Sequence, residues 1–484
     1  MTGPIEIELK LEVDPADRAR IGLAELFAGT PSAADRLVAA YFDTPHRHVR
    51  GAGYSLRVRR EGAKRVQTVK TLNASAGLFA RKEWEREVAT ERPVLDPARG
   101  LPKKMLEAAS RARLERLFVT DVWRIAGTIG YGGGVFECAI DNGEIRSGKR
   151  RLGLCEIELE LESGPSQSLF DFARRLDERF PVRIAVLSKA ERGYRLADGI
   201  AGMPAKAEPI VIGVGDSAGD AFRIIAHSCL RQFRINEGLL LDTGAAEPLH
   251  QARVGLRRLR TAFSLYKPLL SADRRAALLE AELRWLAAEL GELRNLDVLI
   301  ASKHGEPRFP LTVAREQALT HVCNELASAQ TRLLMIDLAE WLAVGAWCMR
   351  PENPDLFGQN ARRFASEVLD LQRKRLKRRG KKLAALDDAH RHKARIAAKK
   401  LRYASQFFES LFPENMARRR YALFRAAIEE LQEQLGDLND LVVGPQLLAQ
   451  LGIDAEPSGK NRTKLLRLAE DTLGALLEAK PFWH

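Results

Sequence analysis

The spacing of apolar residues changes near residue 200, and this change constrains the fold more than any other feature of the sequence. Before it, seven segments alternate apolar and polar side chains, which is typical of strands with one buried face. After it, long segments repeat apolar residues every three or four positions, as helices do. Because 484 residues also exceed what one hydrophobic core usually organises, the sequence predicts two domains.

The predicted elements set the limits of these domains. The strands are Ile5–Val13, Ser55–Arg60, Val66–Thr71, Ala80–Val88, Val122–Ile129, Gly134–Asp141 and Leu152–Glu162. The helices are Asp220–Leu241, Pro248–Tyr266, Arg274–Ala301, Ala314–Val344, Asn360–Lys382, Ala389–Leu411, Met416–Leu451 and Thr463–Ala479. Residues 201–215 contain proline and glycine and are the expected linker between an α+β domain at 1–200 and an all-α domain at 216–484. So many antiparallel strands favour a barrel or a closed sheet.

The composition is that of a soluble, folded protein with an anionic partner. Hydrophobic residues make up 45% and charged residues 29% of the chain, which excludes a disordered or fibrous class. The formal net charge of +13 favours nucleic acid, an acidic membrane surface or a phosphate-rich molecule as the partner. The five cysteines are scattered, and the sequence has neither a leader peptide nor an apolar run of about 18 residues, so we expect a reducing, cytoplasmic location.

Ionic side chains follow the two-residue period of several predicted strands, so each of these strands has one ionic face. The residues are Glu6, Glu8 and Lys10, then Arg57 and Arg59, Thr68 and Lys70, Arg81, Glu83, Glu85 and Glu87, and finally Glu156, Glu158 and Glu160. Alternation leaves open whether these faces point to water, as most charged strand faces do, or into the lumen of a barrel. In a lumen such charges are costly to desolvate unless a ligand neutralises both kinds, and a polyphosphate bound to Mg²⁺ or Mn²⁺ does so.

The segment Ile5-Glu-Ile-Glu-Leu-Lys10 resembles the opening E-x-E-x-K signature of the CYTH, or triphosphate tunnel metalloenzyme, family. Further segments agree with the family in order over residues 1–200: Tyr41-Phe-Asp-Thr44, Ser55-Leu-Arg-Val-Arg59, Arg81 to Glu85, Glu156 to Glu160, Ser188-Lys189 and Arg192-Gly-Tyr194. The resemblance implies an eight-stranded antiparallel tunnel that binds a triphosphate through basic residues and divalent metal ions through Glu.

The resemblance also implies a role for each matching residue. Glu6, Glu8 and Lys10 form the catalytic group, Glu6, Glu8, Glu156, Glu158 and Glu160 ligate Mg²⁺ or Mn²⁺, and Arg57, Arg59, Lys70, Arg124 and Lys189 bind phosphate oxygens. Arg81, Glu83 and Glu85 keep the family's spacing and join the candidate site. The implied reaction is attack of water on a terminal phosphorus, with Glu6 or Glu8 orienting the water while metal, Arg and Lys neutralise the transition state.

The helical half contains an internal repeat. His250-Gln-Ala-Arg253-Val-Gly-Leu-Arg257-Arg-Leu-Arg260 corresponds to His392-Lys-Ala-Arg395-Ile-Ala-Ala-Lys399-Lys-Leu-Arg402, and similar segments follow at Leu290 to Asp297 and Leu435 to Asp440. At about 100° per residue, the four numbered residues of each copy share one helix face and form a basic stripe. A single stripe of this kind is usually a solvated surface, but two copies predict a duplicated helical bundle with a groove for a phosphate chain.

This repeat resembles the CHAD domain, a helical module often attached to CYTH domains and associated with polyphosphate binding. The resemblance covers residues 215–484. It implies that polyphosphate binds to His250, Arg253, Arg257 and Arg260 and to His392, Arg395, Lys399 and Arg402. The second copy has Lys399 where the first has Arg257, so fewer bidentate contacts are expected there.

Three functions stay open from the sequence. The leading one is metal-dependent hydrolysis of inorganic triphosphate to diphosphate and phosphate in the tunnel, with polyphosphate bound by the helical domain. The second is an adenylate cyclase or a thiamine or nucleoside triphosphatase in the same tunnel, and the third is a non-catalytic polyphosphate-binding protein. The basic run from Arg373 to Lys382 indicates at most nonspecific binding of nucleic acid, because no aromatic residues interleave with it. No membrane partner is expected, and the sequence does not set the oligomeric state.

Overall fold

The strands of the first 200 residues pair into one antiparallel sheet that closes on itself. The computed structural model describes residues 5–14, 16–17, 34–72, 76–97, 100–301, 309–453 and 461–484. The chain forms two compact units, one made of residues 1–205, 234–242 and 325–345 and the other of residues 206–233, 243–324 and 346–484. The sheet lies in the first unit, and the second unit is built from helices.

Eight of the nine strands in the described residues make a closed barrel. The strands are β1 (Ile5–Val13), β2 (Asp35–Asp43), β3 (Tyr54–Glu61), β4 (Lys64–Thr71), β5 (Leu78–Glu87), β6 (Glu115–Tyr131), β7 (Gly134–Ser147), β8 (Arg150–Ser163) and β9 (Val182–Ile184). Their order is β5-β4-β3-β2-β6-β7-β8-β1, and β5 also pairs with β1, which closes the ring. The short β9 pairs with the end of β1. The eight-stranded antiparallel barrel that the sequence predicts is therefore confirmed.

The predicted strands correspond to β1 and to β3 through β8, and β1 has the predicted limits. The sequence prediction missed two strands, β2 and β9. The three residues of β9 are too few to show a period of two. In β2, Ala39, Ala40, Tyr41 and Phe42 form a continuous apolar run, so this strand shows no alternation.

Short helices cover the outward face of part of the barrel. They are α1 (His48–Gly51) and α2 (Lys103–Ala109), and two longer ones are α3 (Gln167–Asp177), which follows β8, and α4 (Lys189–Ala197), which follows β9. Leu56 of β3 and Val69 of β4 are fully buried in a cluster with Val49 of α1 and Met105 of α2. Because these outward side chains are apolar and covered, the alternate, ionic side chains of the same strands point into the lumen.

The remaining helices carry the internal repeat. They are α5 (Ala218–Thr243), α6 (Ala246–Leu265), α7 (Lys267–Leu270), α8 (Arg274–Ala301), α9 (Phe309–Ala327), α10 (Ala329–Val344), α11 (Ala346–Met349), α12 (Pro354–Gly358), α13 (Ala361–Arg379), α14 (Asp388–Phe408), α15 (Asn415–Gln450) and α16 (Arg462–Glu478). The first copy of the repeat lies on α6 and α8, and the second lies on α14 and α15. The duplicated helical architecture is confirmed.

One predicted helix is wrong. The segment 314–344 is expected to form a single helix, but it forms α9 and α10. The break occurs at Ser328, whose hydroxyl accepts a hydrogen bond from the Thr331 N–H at 3.2 Å and caps the start of α10. A side-chain cap of this kind satisfies an N–H group that has no partner inside the new helix.

Helix α10 belongs to the barrel unit although it follows the barrel by more than a hundred residues in the chain. Arg332 of α10 donates two hydrogen bonds to the carboxylate of Asp177, at 2.6 and 3.1 Å. Arg174 of α3 donates to Asp337 at 3.0 Å. The barrel unit is thus held together by ion pairs between segments that are distant in sequence.

All five cysteines are free thiols. Cys138, Cys155 and Cys229 are buried, and burial raises the pKa of the Cys138 thiol to about 12. No helix in the described part of the chain has the length and apolar character that crossing a bilayer requires.

Candidate functional site

The ionic faces of the strands meet inside the barrel. Across the β1–β8 pair, Glu8 lies opposite Glu160 and Lys10 lies opposite Glu158. Glu8 and Lys10 are each only 3% exposed. The orientation that alternation left open is therefore resolved, because these charges face a lumen and not the surrounding water.

The lumen is a cavity of about 250 Å³ lined mainly by charged side chains. The acidic residues that line it are Glu6, Glu8, Glu83, Glu85, Glu137, Asp141, Glu158 and Glu160, and the basic ones are Lys10, Arg57, Arg59, Lys70, Arg81, Arg124 and Lys189. Every barrel residue proposed from the sequence is in this set except Glu156, which is fully buried and lies 2.5 Å from Lys189 Nζ. The sequence-predicted residues of the barrel are therefore brought together.

One acidic group in the lumen is neutralised by several cations. Lys189 Nζ lies 2.6 Å from Asp141, 2.5 Å from Glu156 and 2.9 Å from Glu158. Lys10 also pairs with Glu158. Burial alone would raise the pKa of Glu158, but Lys10 and Lys189 hold it well below its usual range. Burial would likewise lower the pKa of Lys189, and the carboxylates raise it instead.

The start of α4 positions Lys189. Ser188 caps this helix, because its hydroxyl accepts from the Glu191 N–H at 3.3 Å and the Glu191 carboxylate accepts from the Ser188 N–H at 2.9 Å. This reciprocal capping box fixes the entry of the chain into the helix. Lys189 is the first helical residue, so its ammonium is directed at the carboxylates by a defined backbone geometry.

A second acidic group contains three carboxylates around Lys70. Lys70 Nζ lies 2.7 Å from Glu6 and 3.0 Å from Glu83, and Glu160 lies beside Glu6. Burial alone would raise the pKa of Glu6, yet Lys70 and Glu83 lower it to about 2. Burial and the neighbouring Glu6 raise the pKa values of Glu83 and Glu160 to about 7. The pKa values of neighbouring carboxylates separate in this way when the carboxylates lie close together with too little positive charge.

The group of Asp141, Glu156 and Glu158 fits a hard divalent cation. One oxygen each from Asp141, Glu156 and Glu158 lies within 4.8 Å of the others. The Glu156 Oε2 atom is buried and has no hydrogen-bond partner, so it has the free lone pairs that a ligand atom needs. All donors are carboxylate oxygens, which Mg²⁺ and Mn²⁺ prefer.

Arg57 and Arg59 form the opposite wall of the lumen. They lie on β3, which has three strands between it and β8 in either direction around the barrel. Arg57 is 3.9 Å from Glu85, and the Nε atoms of both arginines are buried without a hydrogen-bond partner. Burial and the charge of Arg57 lower the pKa of Arg59. These guanidinium groups therefore have donors available for an anionic ligand.

The lumen contains functional residues that the sequence did not single out. The clearest is Asp141 on β7, which is paired with Glu156 across the β7–β8 ladder and accepts two hydrogen bonds from Arg124, each at 2.7 Å. Its sequence signal is weak but present, because Glu137 and Asp141 share a strand face at a spacing of four. Glu137 is opposite Glu160 and extends the acidic row.

The basic stripes of the repeat also meet. In the helical unit, Arg257 Nε of α6 donates to the Tyr403 hydroxyl of α14 at 2.7 Å. Lys399 is surrounded by Arg395, Arg257 and Arg402, and burial and these charges lower its pKa to about 7. Cations of the two copies are therefore close enough to oppose each other's charge.

The other stripe residues lie around this cluster. Burial and the neighbouring Arg257 and Arg294 lower the pKa of Arg253 to about 10, and its guanidinium donates to the Ala287 carbonyl at 3.0 Å. His250 lies beside Arg294, and burial lowers its pKa. His392 and Arg395 both approach the Asn439 side chain at 3.4 Å. Arg260 lies further along α6, near Glu280 and Arg284.

Comparison with known proteins agrees with this arrangement. Residues 4–194 match the CYTH domain family and residues 224–449 match the CHAD domain family. The inorganic triphosphatase of Haemophilus influenzae is 32% identical over 197 residues, which are 40% of this chain and 54% of that protein, so the match spans about half of the relative's length.

Two solved structures are similar in part. The CHAD domain of the plant Ricinus communis is 28% identical, with a TM-score of 0.44, over 57% of this chain and 92% of that one. A Hippeastrum adenylyl cyclase candidate with a dominant triphosphatase activity is 19% identical, with a TM-score of 0.27, over 40% of this chain and 96% of that one. The chain thus belongs to the proteins in which a CYTH domain, here residues 4–194, is followed by a CHAD domain, here residues 224–449.

Proposed function

We propose that the barrel hydrolyses inorganic triphosphate to diphosphate and phosphate with the help of Mg²⁺ or Mn²⁺, and that the helical unit binds polyphosphate. The observation that carries the proposal is the division of the lumen. Glu6 and Glu160 on one wall have too little positive charge beside them, and the guanidinium groups of Arg57 and Arg59 lie on β3 at the opposite wall. A metal-bound phosphate chain complements both walls at once.

Glu6 and Glu160 are the residues best placed to hold the cation, with Glu156 and Glu158 next to them. When bound, the cation withdraws charge from the phosphate oxygens as they become more negative. Glu8 is held by Lys10 at 2.8 Å and by Arg81, so its carboxylate has a fixed direction. We assign to it the orientation of the attacking water. Because phosphoryl transfer asks little of a base, positioning is enough for this role.

The basic side chains then bind the phosphate oxygens. Arg57, Arg59, Arg124 and Lys189 all reach the cavity, and fixed cations in a small, water-poor space stabilise negative charge far better than they do in water. Lys10 lies between Glu8 and Glu158 and completes the catalytic group.

Inorganic triphosphate suits the lumen better than a nucleotide does. The cavity holds only about 250 Å³, most of its lining side chains are charged, and its aromatic lining residue, Tyr41, is only 3% exposed, so the lumen suits a ligand that is phosphate throughout. The similarity to an inorganic triphosphatase supports the same substrate class. Cyclisation of ATP and hydrolysis of thiamine or nucleoside triphosphates remain the alternative activities of the tunnel, and polyphosphate capture without turnover remains the non-catalytic alternative.

Polyphosphate binding by the helical unit rests on the cation cluster around Lys399. Arg257, Arg395 and Arg402 are held near it, and Asp440 only partly offsets their lowering of the Lys399 pKa. A flexible chain of phosphates relieves this repulsion at each successive cation. We assign the polyphosphate-binding surface to the two basic stripes of the repeat. Their residues are His250, Arg253, Arg257 and Arg260 in the first copy and His392, Arg395, Lys399 and Arg402 in the second.

The test is phosphate release from tripolyphosphate, ATP, thiamine triphosphate and long-chain polyphosphate, each with Mg²⁺, with Mn²⁺ and with EDTA. The full chain is compared with Glu6→Gln and with the matched control Glu87→Gln, since Glu87 lies at the exposed end of β5. We expect tripolyphosphate to be the best substrate, EDTA and Glu6→Gln to abolish turnover, and Glu87→Gln to have no effect.

Other outcomes select the alternatives. Faster turnover of ATP or thiamine triphosphate would assign the tunnel to those substrates. Tight binding of polyphosphate with no turnover of any candidate would leave a binding protein.

A further inference from the structure

The outer surface of the barrel contains a second cavity, of about 790 Å³, which the proposed function does not use. We call it the outer groove. It lies on the opposite face of the sheet from the lumen, as the alternation of β2 shows. Leu37 and Ala39 line the lumen, whereas Arg36, Val38 and Ala40 line the outer groove. A ligand in the groove therefore does not compete for space with one in the tunnel.

Arginine dominates the charge of the outer groove. Six arginines line it, and they are Arg36, Arg60, Arg65, Arg116, Arg146 and Arg151. The acidic residues that line it are Glu91 and Asp121. Asp121 accepts two hydrogen bonds from Arg36, both at 2.8 Å, and pairs with Arg146 at 2.5 Å. One carboxylate thus orients two guanidinium groups, and the groove keeps an excess of positive charge.

Several of these guanidinium groups have N–H donors available for a ligand. The Arg116 side chain is exposed and has no ion-pair or hydrogen-bond partner among the residues that the structure describes. Arg65 Nε is buried without a hydrogen-bond partner, and its nearest carboxylate oxygen, on Glu91, is 3.8 Å away. Arg151 donates to backbone carbonyls at 3.0 and 3.1 Å, and its Nε atom lies 3.9 Å from Glu144, so these contacts fix its direction and leave other N–H groups for a ligand. A planar guanidinium group can donate two parallel hydrogen bonds to a pair of phosphate oxygens.

The floor of the outer groove is aliphatic. Val38 and Ala40 of β2, Val58 of β3, and Leu117 and Val119 of β6 line it, and most of them are half-buried. An inorganic phosphate chain has no apolar surface to place on such a floor, whereas a nucleobase does. The volume also falls in the range of about 300–1,000 Å³ that is usual for small-molecule sites.

We propose that the outer groove binds a nucleoside polyphosphate, with the base over the aliphatic floor and the phosphates on the arginines. The guanidinium planes at the rim also stack against an aromatic base, which adds to the affinity. The site lies outside the lumen, so this nucleotide acts as a ligand and not as the substrate of the tunnel.

The test measures binding of a fluorescent ATP analogue to the full chain in EDTA, with Arg57→Ala and Arg59→Ala introduced to remove binding in the tunnel. The groove variant adds Arg116→Ala and Arg151→Ala. The matched control adds Arg175→Ala and Arg179→Ala, which remove the same charge from exposed positions at α3. Losing two charge-assisted contacts should weaken binding by about tenfold or more, and the control should bind as the parent does.

Competition separates a nucleotide site from a general anion patch. Unlabelled ATP and tripolyphosphate are each titrated against the bound analogue. The ATP concentration that displaces half of the analogue should be about one-tenth of the tripolyphosphate concentration that does so, because only ATP covers the apolar floor. Equal displacement by tripolyphosphate, or equal binding by the groove variant and its control, would overturn the proposal. Thermal melting of each variant confirms that it is folded, so a loss of binding by the groove variant reports on the site. A failure of tripolyphosphate hydrolysis leaves this result unaffected, because the assay contains no turnover.

Discussion

Single residues decide which carboxylates of the lumen are short of positive charge. Glu158 already has Lys10, Lys189 and Arg124 as partners, whereas the group around Glu6 and Glu160 has Lys70. Adding a divalent cation therefore gains more electrostatic free energy at Glu6 and Glu160 than at the neutralised group. The raised pKa of Glu160 is the sign of that deficit.

This difference predicts unequal effects of two conservative substitutions. Glu160→Gln should raise the Mg²⁺ concentration that gives half-maximal hydrolysis by about 10- to 100-fold. Glu156→Gln should act mainly on KM for the triphosphate, because Glu156 positions Lys189. Activity measured across a Mg²⁺ titration distinguishes the two, with Glu87→Gln as the unaffected control. If Glu156→Gln raises the required Mg²⁺ concentration more than Glu160→Gln does, the cation is bound by the Asp141 group instead.

The lowered pKa of Lys399 predicts how polyphosphate binding depends on pH. Burial and the charges of Arg395 and Arg257 lower its pKa to about 7 in the free protein. A bound phosphate chain favours the ammonium form and raises that pKa, so above pH 7 binding must take up a proton. Affinity is therefore full below pH 7 and falls above it, by up to about tenfold per pH unit, until the pKa of the complex is reached.

Fluorescence anisotropy with a labelled polyphosphate at pH 7.0 and 8.5 measures this effect. Lys399→Arg keeps the charge across this range and should remove most of the fall in affinity. The prediction fails if Lys399→Arg retains the full pH dependence.

At the scale of elements, the Arg192-Gly-Tyr194 motif fastens α4 to the barrel. A Cβ on Gly193 would lie 2.0 Å from the Phe118 ring, so only glycine lets the helix approach β6 this closely. Tyr194 packs edge-on against Phe118 at 5.4 Å between ring centroids. Its hydroxyl also donates to Asp43 at 3.2 Å, and Asp43 accepts the Val49 and Arg50 N–H groups at 2.9 Å. The motif thus supports Lys189 through the helix that carries it.

Gly193→Ala should therefore destabilise the barrel by about 1–3 kcal/mol, because the helix must move away from Phe118. It should also raise KM for the triphosphate, since Lys189 moves with α4. Gly153→Ala is the matched control, because a Cβ on Gly153 meets nothing within 4 Å. Urea unfolding of the two variants measures the difference, and equal stabilities would show that α4 is free to adjust.

The elements also show what sequence can and cannot predict here. Alternation placed β1 correctly, and the E-x-E-x-K segment identified Glu6, Glu8 and Lys10, because both are local properties. Whether the ionic faces point inward depends on which face the helices cover, and that is a tertiary property. Asp141 was missed for a similar reason, since its importance comes from its register opposite Glu156. Ser328 was a local signal, a helix cap within a periodic segment, that the helical pattern concealed.

At the scale of the whole molecule, the net charge of +13 is not distributed evenly between the two ligand sites. In the lumen nearly every cation has a carboxylate within a few ångströms, and the pairs are largely buried. In the stripe of the helical unit, Arg253, Arg257, Arg395, Lys399 and Arg402 face mainly one another. On the proposed function, the lumen therefore needs a metal to bind an anion well, whereas the stripe binds anions by its unbalanced charge alone.

This contrast predicts different responses to salt. If a polyphosphate contacts the five cations of the stripe, raising NaCl from about 50 to 200 mM should weaken its binding by about 100-fold, because condensed counterions are released from the chain. Buried charges are screened much less, so KM for triphosphate hydrolysis at saturating Mg²⁺ should change far less over the same range. Anisotropy and phosphate release, measured in the same buffers, give the two slopes. The Arg57→Ala, Arg59→Ala variant should keep the steep slope for polyphosphate, which shows that it comes from the helical unit. Equal slopes for the two measurements would mean that both ligands use one surface.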